Sequence, residues 1–239
     1  MLLVATVLVT PKNLNFFIMY RIALIDDHTL FRKSLISLLS EMDDMIVVYD
    51  TDDGEKLLNF IQNQEVDIVL LDLQMPKMDG FTLSKQLREK YPKIKILALS
   101  QLMTEEVIYR LVKVGVNGYI SKNSETDQFE TALRSVLVKG FYFDLPLLEL
   151  VRRFTFSNEP HPTAIPCTTS ELITPREREI ILYTAKGWTS EAISKVLCIS
   201  VRTVDSHKRT ILEKTGCSNF IAVIVKCLNE YVISLEEVK

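Results

Sequence analysis

The stretch Asp67–Gly80, DIVLLDLQMPKMDG, carries the reading of this chain. Four apolar residues, Ile68 to Leu71, run straight into one carboxylate, Asp72. So short a run, apolar on both faces, has the pattern of a strand buried in a parallel sheet with helices on either side. Pro76 and the pair Asp79-Gly80 then turn the chain. A strand that ends on an acid holds that acid at the rim of a sheet, and some chemistry must need it there.

The same alternation extends outward from this stretch. Strands are expected at RIALI (Arg21–Ile25), MIVVY (Met45–Tyr49), DIVLL (Asp67–Leu71), KILAL (Lys95–Leu99) and GYIS (Gly118–Ser121). Between them lie LFRKSLISLLSE, GEKLLNFIQN, FTLSKQLREKY and EEVIYRLVKVG, each apolar at helical spacing. A fifth helix, ETDQFETALRSVLVKG, follows, with Ser124 expected as its N-cap. Five strand-helix alternations predict an α/β fold with a doubly wound, five-stranded parallel sheet and right-handed crossovers.

Residues 141–170 break this pattern. They hold Pro146, Pro160, Pro162 and Pro166 and read as a linker, with a short helix expected around 145–154. Everything after the linker reads helical. The expected division is an extension with little structure over 1–19, an α/β domain over 20–140, the linker over 141–170 and an all-α domain over 171–236. The opening MLLVATVLVT is too short to span a bilayer and lacks the basic start of a secretory signal, so a cytoplasmic chain with no membrane partner is expected. The four cysteines, at 167, 198, 217 and 227, have no C-x-x-C spacing and read as free thiols of a reducing compartment. Charge is uneven: 15 Lys/Arg against 19 Asp/Glu over residues 20–140, but 10 against 9 from Glu171 onward. The back half is not basic enough for charge alone to establish nucleic-acid binding.

In an open α/β sheet, ligands bind outside the carboxyl ends of the strands. Here the first strand ends on Asp26-Asp27, the third on Asp72 and the fourth on Ser100, while the fifth runs into Lys122. Each alone has a plainer explanation: Asp26 or Asp27 as a helix cap, Ser100 as a turn residue, Lys122 as a solvated charge. Three converging carboxylates repel one another and call for a compensating cation. Hard oxygen donors of this kind suit Mg²⁺.

These residues, in this order on these strand ends, resemble the receiver domain of two-component response regulators. The resemblance covers about Tyr20 to Gly140 and implies a flavodoxin-like sheet. It further implies that Asp72 is the phosphoacceptor, with Asp26, Asp27, Asp72 and a backbone carbonyl near Gln74 around Mg²⁺. Lys122 would pair with the phosphoryl oxygens, Ser100 would hydrogen-bond one of them, and Tyr119 matches the family's aromatic switch position. Tyr119 as a half-buried strand aromatic remains the alternative. A phosphoryl group adds about −1.5 to −2 charge, enough to shift populations in the neighbouring helix and strand.

The back domain opens on a strong helix start, with Thr174 as cap, Pro175 next and Glu177 completing a capping box. TSEAISKVL, the turn CIS and VRTVDSHKRTILEK suggest helix-turn-helix, the last helix being capped by Ser200 and stopped at Gly216. Val204, His207 and Ile211 form its expected inward stripe. The segment from Leu172 to Asn219 resembles the LuxR/NarL DNA-binding domain, departing from it at Ala192 and Phe220. By that resemblance Val201 to Lys214 enters the major groove of double-stranded DNA. Arg209 would read guanine and Asp205 cytosine, with Arg202, Lys208 and Lys214 on phosphates and Thr203 and Ser206 on the same face. The apolar stripe of FIAVIVKCLNEYVI serves homodimer contact in that family, and core packing is the alternative.

The expectation is a phosphorylation-controlled, DNA-binding transcription regulator that takes its phosphoryl group from a sensor histidine kinase and is not itself an enzyme. A second reading keeps the DNA binding but makes the receiver vestigial. A haloacid-dehalogenase-like phosphatase is a third, but it wants a second Asp two residues after the first, where Gln74 stands.

Overall fold

The computed structural model describes residues 19–101, 104–142, 169–217 and 219–238. The expected extension up to residue 18 and the expected helix around 145–154 lie outside the described residues. Strands β1 (Tyr20–Ile25), β2 (Met45–Thr51), β3 (Ile68–Asp72), β4 (Lys95–Ser100) and β5 (Gly118–Ser121) form one parallel sheet in the order β2-β1-β3-β4-β5. β3 sits between β1 and β4, with Leu71 opposite both Ile25 and Ala98. All five of its residues are buried, which is why its sequence shows no polar alternation.

Helices cover both faces. On one side α1 (Thr29–Ser40) and α5 (Thr126–Lys139) bring Leu35, Leu39, Phe129, Leu133 and Val136 onto Ile22, Leu24, Leu70 and Leu99. On the other, α2 (Gly54–Asn63), α3 (Gly80–Lys90) and α4 (Glu105–Val114) bring Leu57, Ile61, Leu83, Leu87 and Leu111 onto Ile25, Val69, Leu71 and Ala98. Each such aliphatic side chain stabilises the fold by roughly 1.5–3 kcal/mol on burial. Local signals start and stop the helices. Asp53 accepts the amides of Glu55 and Lys56 at the head of α2, and Asp79 those of Phe81 and Thr82 at the head of α3. Ser124 does not cap α5. Its amide closes a turn onto the Ser121 carbonyl at 3.0 Å, so the helix begins two residues later with Glu125 in the cap position.

The C-terminal part contains α6 (Thr169–Leu172), α7 (Pro175–Ala185), α8 (Ser190–Val196), α9 (Val201–Thr215), α10 (Phe220–Asn229) and α11 (Leu235–Val238). The capping box at Thr174 and Glu177 is formed, and Thr189, Ser200 and Asn219 cap α8, α9 and α10. Between α8 and α9, Cys198 takes φ +52°, a left-handed conformation that a β-carbon disfavours. α10 buries Ile221, Val223, Ile224, Val225, Cys227 and Leu228. That core is continuous with Ile108 and Val112 of α4 and with Phe141. Asn219 adds a polar link, as its Nδ2 donates to the Val116 carbonyl at 2.8 Å in a buried setting.

Candidate functional site

β3 delivers Asp72 to the sheet edge, where it is 1% exposed. The close approach that makes room for this edge depends on Gly80. A β-carbon there would stand 2.4 Å from the Asp72 carbonyl oxygen and 2.6 Å from Leu73 Cα. β1 delivers Asp26, which is fully buried, and Asp27 beside it. Neither aspartate caps α1, because His28 occupies the cap position and its amide donates to Asp26 Oδ1 at 2.8 Å.

Lys122 follows β5 and reaches across to both acids. Its Nζ lies 2.7 Å from Asp72 Oδ2 and 2.7 Å from Asp26 Oδ2, with the side chain only 5% exposed. It is therefore a buried counter-ion and not a solvated charge. Burial pushes the Asp72 carboxyl above its usual range, and the nearby Asp26 charge adds to this. The hydrogen bonds from Lys122 and from the Gln74 amide, the latter 3.0 Å from Asp72 Oδ1, act in the opposite direction.

Ser100 and Tyr119 are both buried, so Tyr119 is more enclosed than a half-exposed strand aromatic would be. Burial pushes the Tyr119 phenol up, and a side-chain hydrogen bond with Ser100 works against that rise. Ser100 is thus tied to the aromatic at the acidic edge.

Asp26, Asp27, His28 and Asp72 each place one donor atom within 4.8 Å of the others. Asp26 Oδ2 and Asp27 Oδ1 are buried; the Lys122 ammonium lies 2.7 Å from the first and His28 Nδ1 2.9 Å from the second. Three carboxylates grouped around one ammonium keep an excess of negative charge, which fits a divalent cation.

Three residues around the pocket escape a reading of strand ends. His28 Nδ1 lies 2.9 Å from Asp27 Oδ1. The Phe31 ring has the Lys122 ammonium 4.9 Å from its centroid. Arg32 donates to the Asp26 carbonyl oxygen and, at 3.0 Å, to Asp50. All three come from the start of α1, and their proximity to one another in sequence just after Asp26-Asp27 is the only signal of this role.

On α9, Val204 and Ile211 face inward as expected, and His207 is half-buried. Arg202, Thr203, Asp205, Ser206 and Arg209 are exposed on the outer side. Asp205 is held by the Ser190 hydroxyl at 2.8 Å. Lys208 is half-buried, and Lys214, though exposed, is paired within the domain. Lys208 Nζ donates to Ser190 at 3.2 Å, and burial pulls its ammonium below the usual lysine range. Lys214 Nζ contacts both Glu177 oxygens at 2.8 and 2.9 Å. Among the described residues no helix is long and apolar enough to cross a membrane.

Comparison with known proteins agrees with this architecture. Residues 22–134 match the response regulator receiver domain, and residues 171–227 match the bacterial regulatory proteins of the luxR family. The oxygen regulatory protein NreC of Staphylococcus aureus is 32% identical over 198 residues, covering 82% of this chain and 91% of that protein. Among solved structures, the RcsB response regulator of Salmonella typhimurium superposes with a TM-score of 0.53 at 21% identity, over 87% of this chain and 97% of that one. A structure of two RcsB dimers bound to two parallel DNAs gives a TM-score of 0.52 at 21% identity, over 88% and 98% of the respective chains. The chain therefore belongs to the two-component response regulators of the NarL/FixJ type, DNA-binding transcription regulators that join a receiver to a LuxR-type helix-turn-helix domain.

Proposed function

We propose that this regulator is controlled by phosphoryl transfer to Asp72. The supporting observation is the Lys122 ammonium, 2.7 Å from both Asp72 and Asp26 at the carboxyl edge of the sheet. The donor is the phosphohistidine of a sensor kinase. An Asp72 oxygen bonds to phosphorus as the phosphorus–nitrogen bond breaks, and the imidazole leaves with its electron pair. Lys122 moves with the developing charge and keeps its contact to the phosphoryl oxygens. Asp26, Asp27, Asp72 and the Gln74 carbonyl would hold Mg²⁺, which would offset the charge of the transferring group.

The output follows from what Ser100 gives up. Ser100 is hydrogen-bonded to Tyr119, so turning toward a phosphoryl oxygen releases the phenol. Tyr119 is packed in the same core as Leu111 of α4, and α4 meets α10 of the DNA-binding domain. The division into a receiver over 20–140, a linker over 141–170 and a DNA-binding domain over 171–236 belongs to the same reading. So do a cytoplasmic setting and a homodimer on DNA. The exposed face of Arg202, Thr203, Asp205, Ser206 and Arg209 reads the major groove, with Arg209 on guanine and Asp205 on a cytosine amino group. Lys208 and Lys214 reach phosphates only after leaving Ser190 and Glu177.

Phosphate uptake by wild type and Asp72→Asn, from kinase or from a small acyl phosphate, tests this. Wild type should take up one acid-stable, hydroxylamine-labile phosphoryl group, and the variant none. Beryllofluoride should raise the dimer fraction and operator affinity of wild type only. Full uptake by Asp72→Asn with native DNA binding would overturn the reading. Unchanged DNA binding with beryllofluoride would favour a vestigial receiver.

A further inference from the structure

We infer that Ser190 is a specificity-determining residue of the DNA-reading face, because its hydroxyl holds Asp205 away from Arg209 and so lets the two address different bases. This rests on the reading above that Arg209 and Asp205 contact bases in the major groove. Asp205 and Arg209 stand four residues apart on α9, the spacing at which opposite charges pair along a helix. The carboxylate instead accepts from the Ser190 hydroxyl of the neighbouring α8, at 2.8 Å. Among the described residues of this domain the arginine ion pairs are Arg176 with Glu179 and Arg178 with Glu237, and Arg202 and Arg209 enter none. Both are exposed.

Chemistry fixes the direction of this relay. Lys208 Nζ lies 3.2 Å from Ser190 Oγ, and an ammonium only donates. The hydroxyl therefore accepts from Lys208 and gives its single proton to Asp205, whose carboxylate only accepts. The Phe220 ring centroid lies 5.6 Å from the same ammonium. Ser190 is not what starts α8: Thr189 is the cap, and its hydroxyl accepts the Ala192 amide at 3.2 Å. A hydroxyl that its own helix does not need thus ties down an acid of the recognition helix. With one Asp205 oxygen engaged, the other remains to accept from a base amino group, and the Arg209 guanidinium keeps its paired donors for guanine. Without the hydroxyl, Asp205 swings to Arg209, and each occupies the atoms that the other needs for DNA.

The test selects bound duplexes from a random-sequence DNA pool, with beryllofluoride and Mg²⁺ in every arm. The full chain is used as wild type, Ser190→Ala, Ser190→Thr, Asp205→Ala and the double variant Ser190→Ala with Asp205→Ala. Wild type should prefer a guanine and a cytosine in each half-site, and Asp205→Ala should lose the cytosine alone. Ser190→Ala should weaken both preferences ~10-fold, while its binding to unselected DNA stays within ~2-fold. Adding Asp205→Ala to it should restore the guanine preference, which a damaged fold would not allow. Ser190→Thr keeps the hydroxyl and should select as wild type does. Wild-type selection by Ser190→Ala, or a guanine preference still lost in the double variant, would overturn the role of Ser190 while leaving base reading by Arg209 and Asp205 standing. Selection unchanged by Asp205→Ala would overturn its base reading, and the inference with it.

Discussion

Lys122 Nζ and Asp72 Oδ2 are 2.7 Å apart in a setting where both side chains are almost wholly shielded from water. The same nitrogen is equally close to Asp26, so one ammonium compensates two buried carboxylates. Replacing it with alanine leaves two like charges facing each other. Lys122→Ala should lose about 3–5 kcal/mol of stability at neutral pH. Urea unfolding at pH 7 and pH 5 checks this, with part of the loss recovered at the lower pH as the carboxylates take up protons.

Asp72 itself opposes folding when ionised. Burial raises its folded-state pKa above the unfolded value, so its destabilising contribution is absent below the unfolded pKa and grows as pH rises through the folded one. Asp72→Asn should therefore raise the melting temperature at pH 7, with the difference from wild type shrinking toward pH 4. The stabilised variant should be the one that cannot be phosphorylated, measured on the same preparation.

Gly80→Ala places a methyl group against backbone atoms of β3's end, which cannot swing aside as a side-chain tip could. A loss of about 1–3 kcal/mol is expected. Because the clash lies at the Asp72 carbonyl, phosphoryl uptake should slow as well. Chemical denaturation and uptake rates measured together would show whether the two effects travel as a pair.

Glu177 joins α7 to α9. Burial pushes its carboxyl upward, but Lys214 and the amide and hydroxyl of Thr174 outweigh this and hold it below the ordinary 4.5. Its stabilising contribution is present above that ordinary value and disappears as pH falls through the lower, folded-state value. Glu177→Gln retains an acceptor for the cap yet leaves Lys214 without its anion, at a cost of about 1–3 kcal/mol near pH 7. Thermal melts from pH 7 to 3 should converge for variant and wild type at the acid end.

The thiols should react in a fixed order. Cys227 is buried, and that burial pushes it up to about 12, with Cys217 and Glu230 adding to the rise. Cys198 is exposed. Brief alkylation of native protein followed by peptide mass analysis should label Cys198 and spare Cys227, which becomes reactive only in denaturant.

Much of this architecture could be read from local sequence. The apolar run into Asp72 foretold β3 because a strand covered on both faces has no polar alternation to confuse the pattern. Thr174 and Ser200 foretold helix starts because a cap is satisfied within three residues. The acidic edge was legible because each contributing side chain ends its strand or stands within two residues after it. His28, Phe31 and Arg32 were not, since they reach the pocket from α1 through packing that no short pattern encodes. The pairings of Lys208 with Ser190 and of Lys214 with Glu177 leave no local mark because the partners are 18 and 37 residues away. Ser124 misled because its amide serves a turn in place of the helix.

Asn219 spans the boundary between the two halves, its Oδ1 capping α10 while its Nδ2 holds the Val116 carbonyl just ahead of β5. Any linkage carried through such a residue runs equally in both directions, because binding free energies are reciprocal. An operator that draws α10 into a different partnership would change the receiver's affinity for beryllofluoride by the same factor that beryllofluoride changes affinity for the operator. The genome would then act as an effector of the sensor side, and promoters of different strength would see differently charged populations of the same regulator.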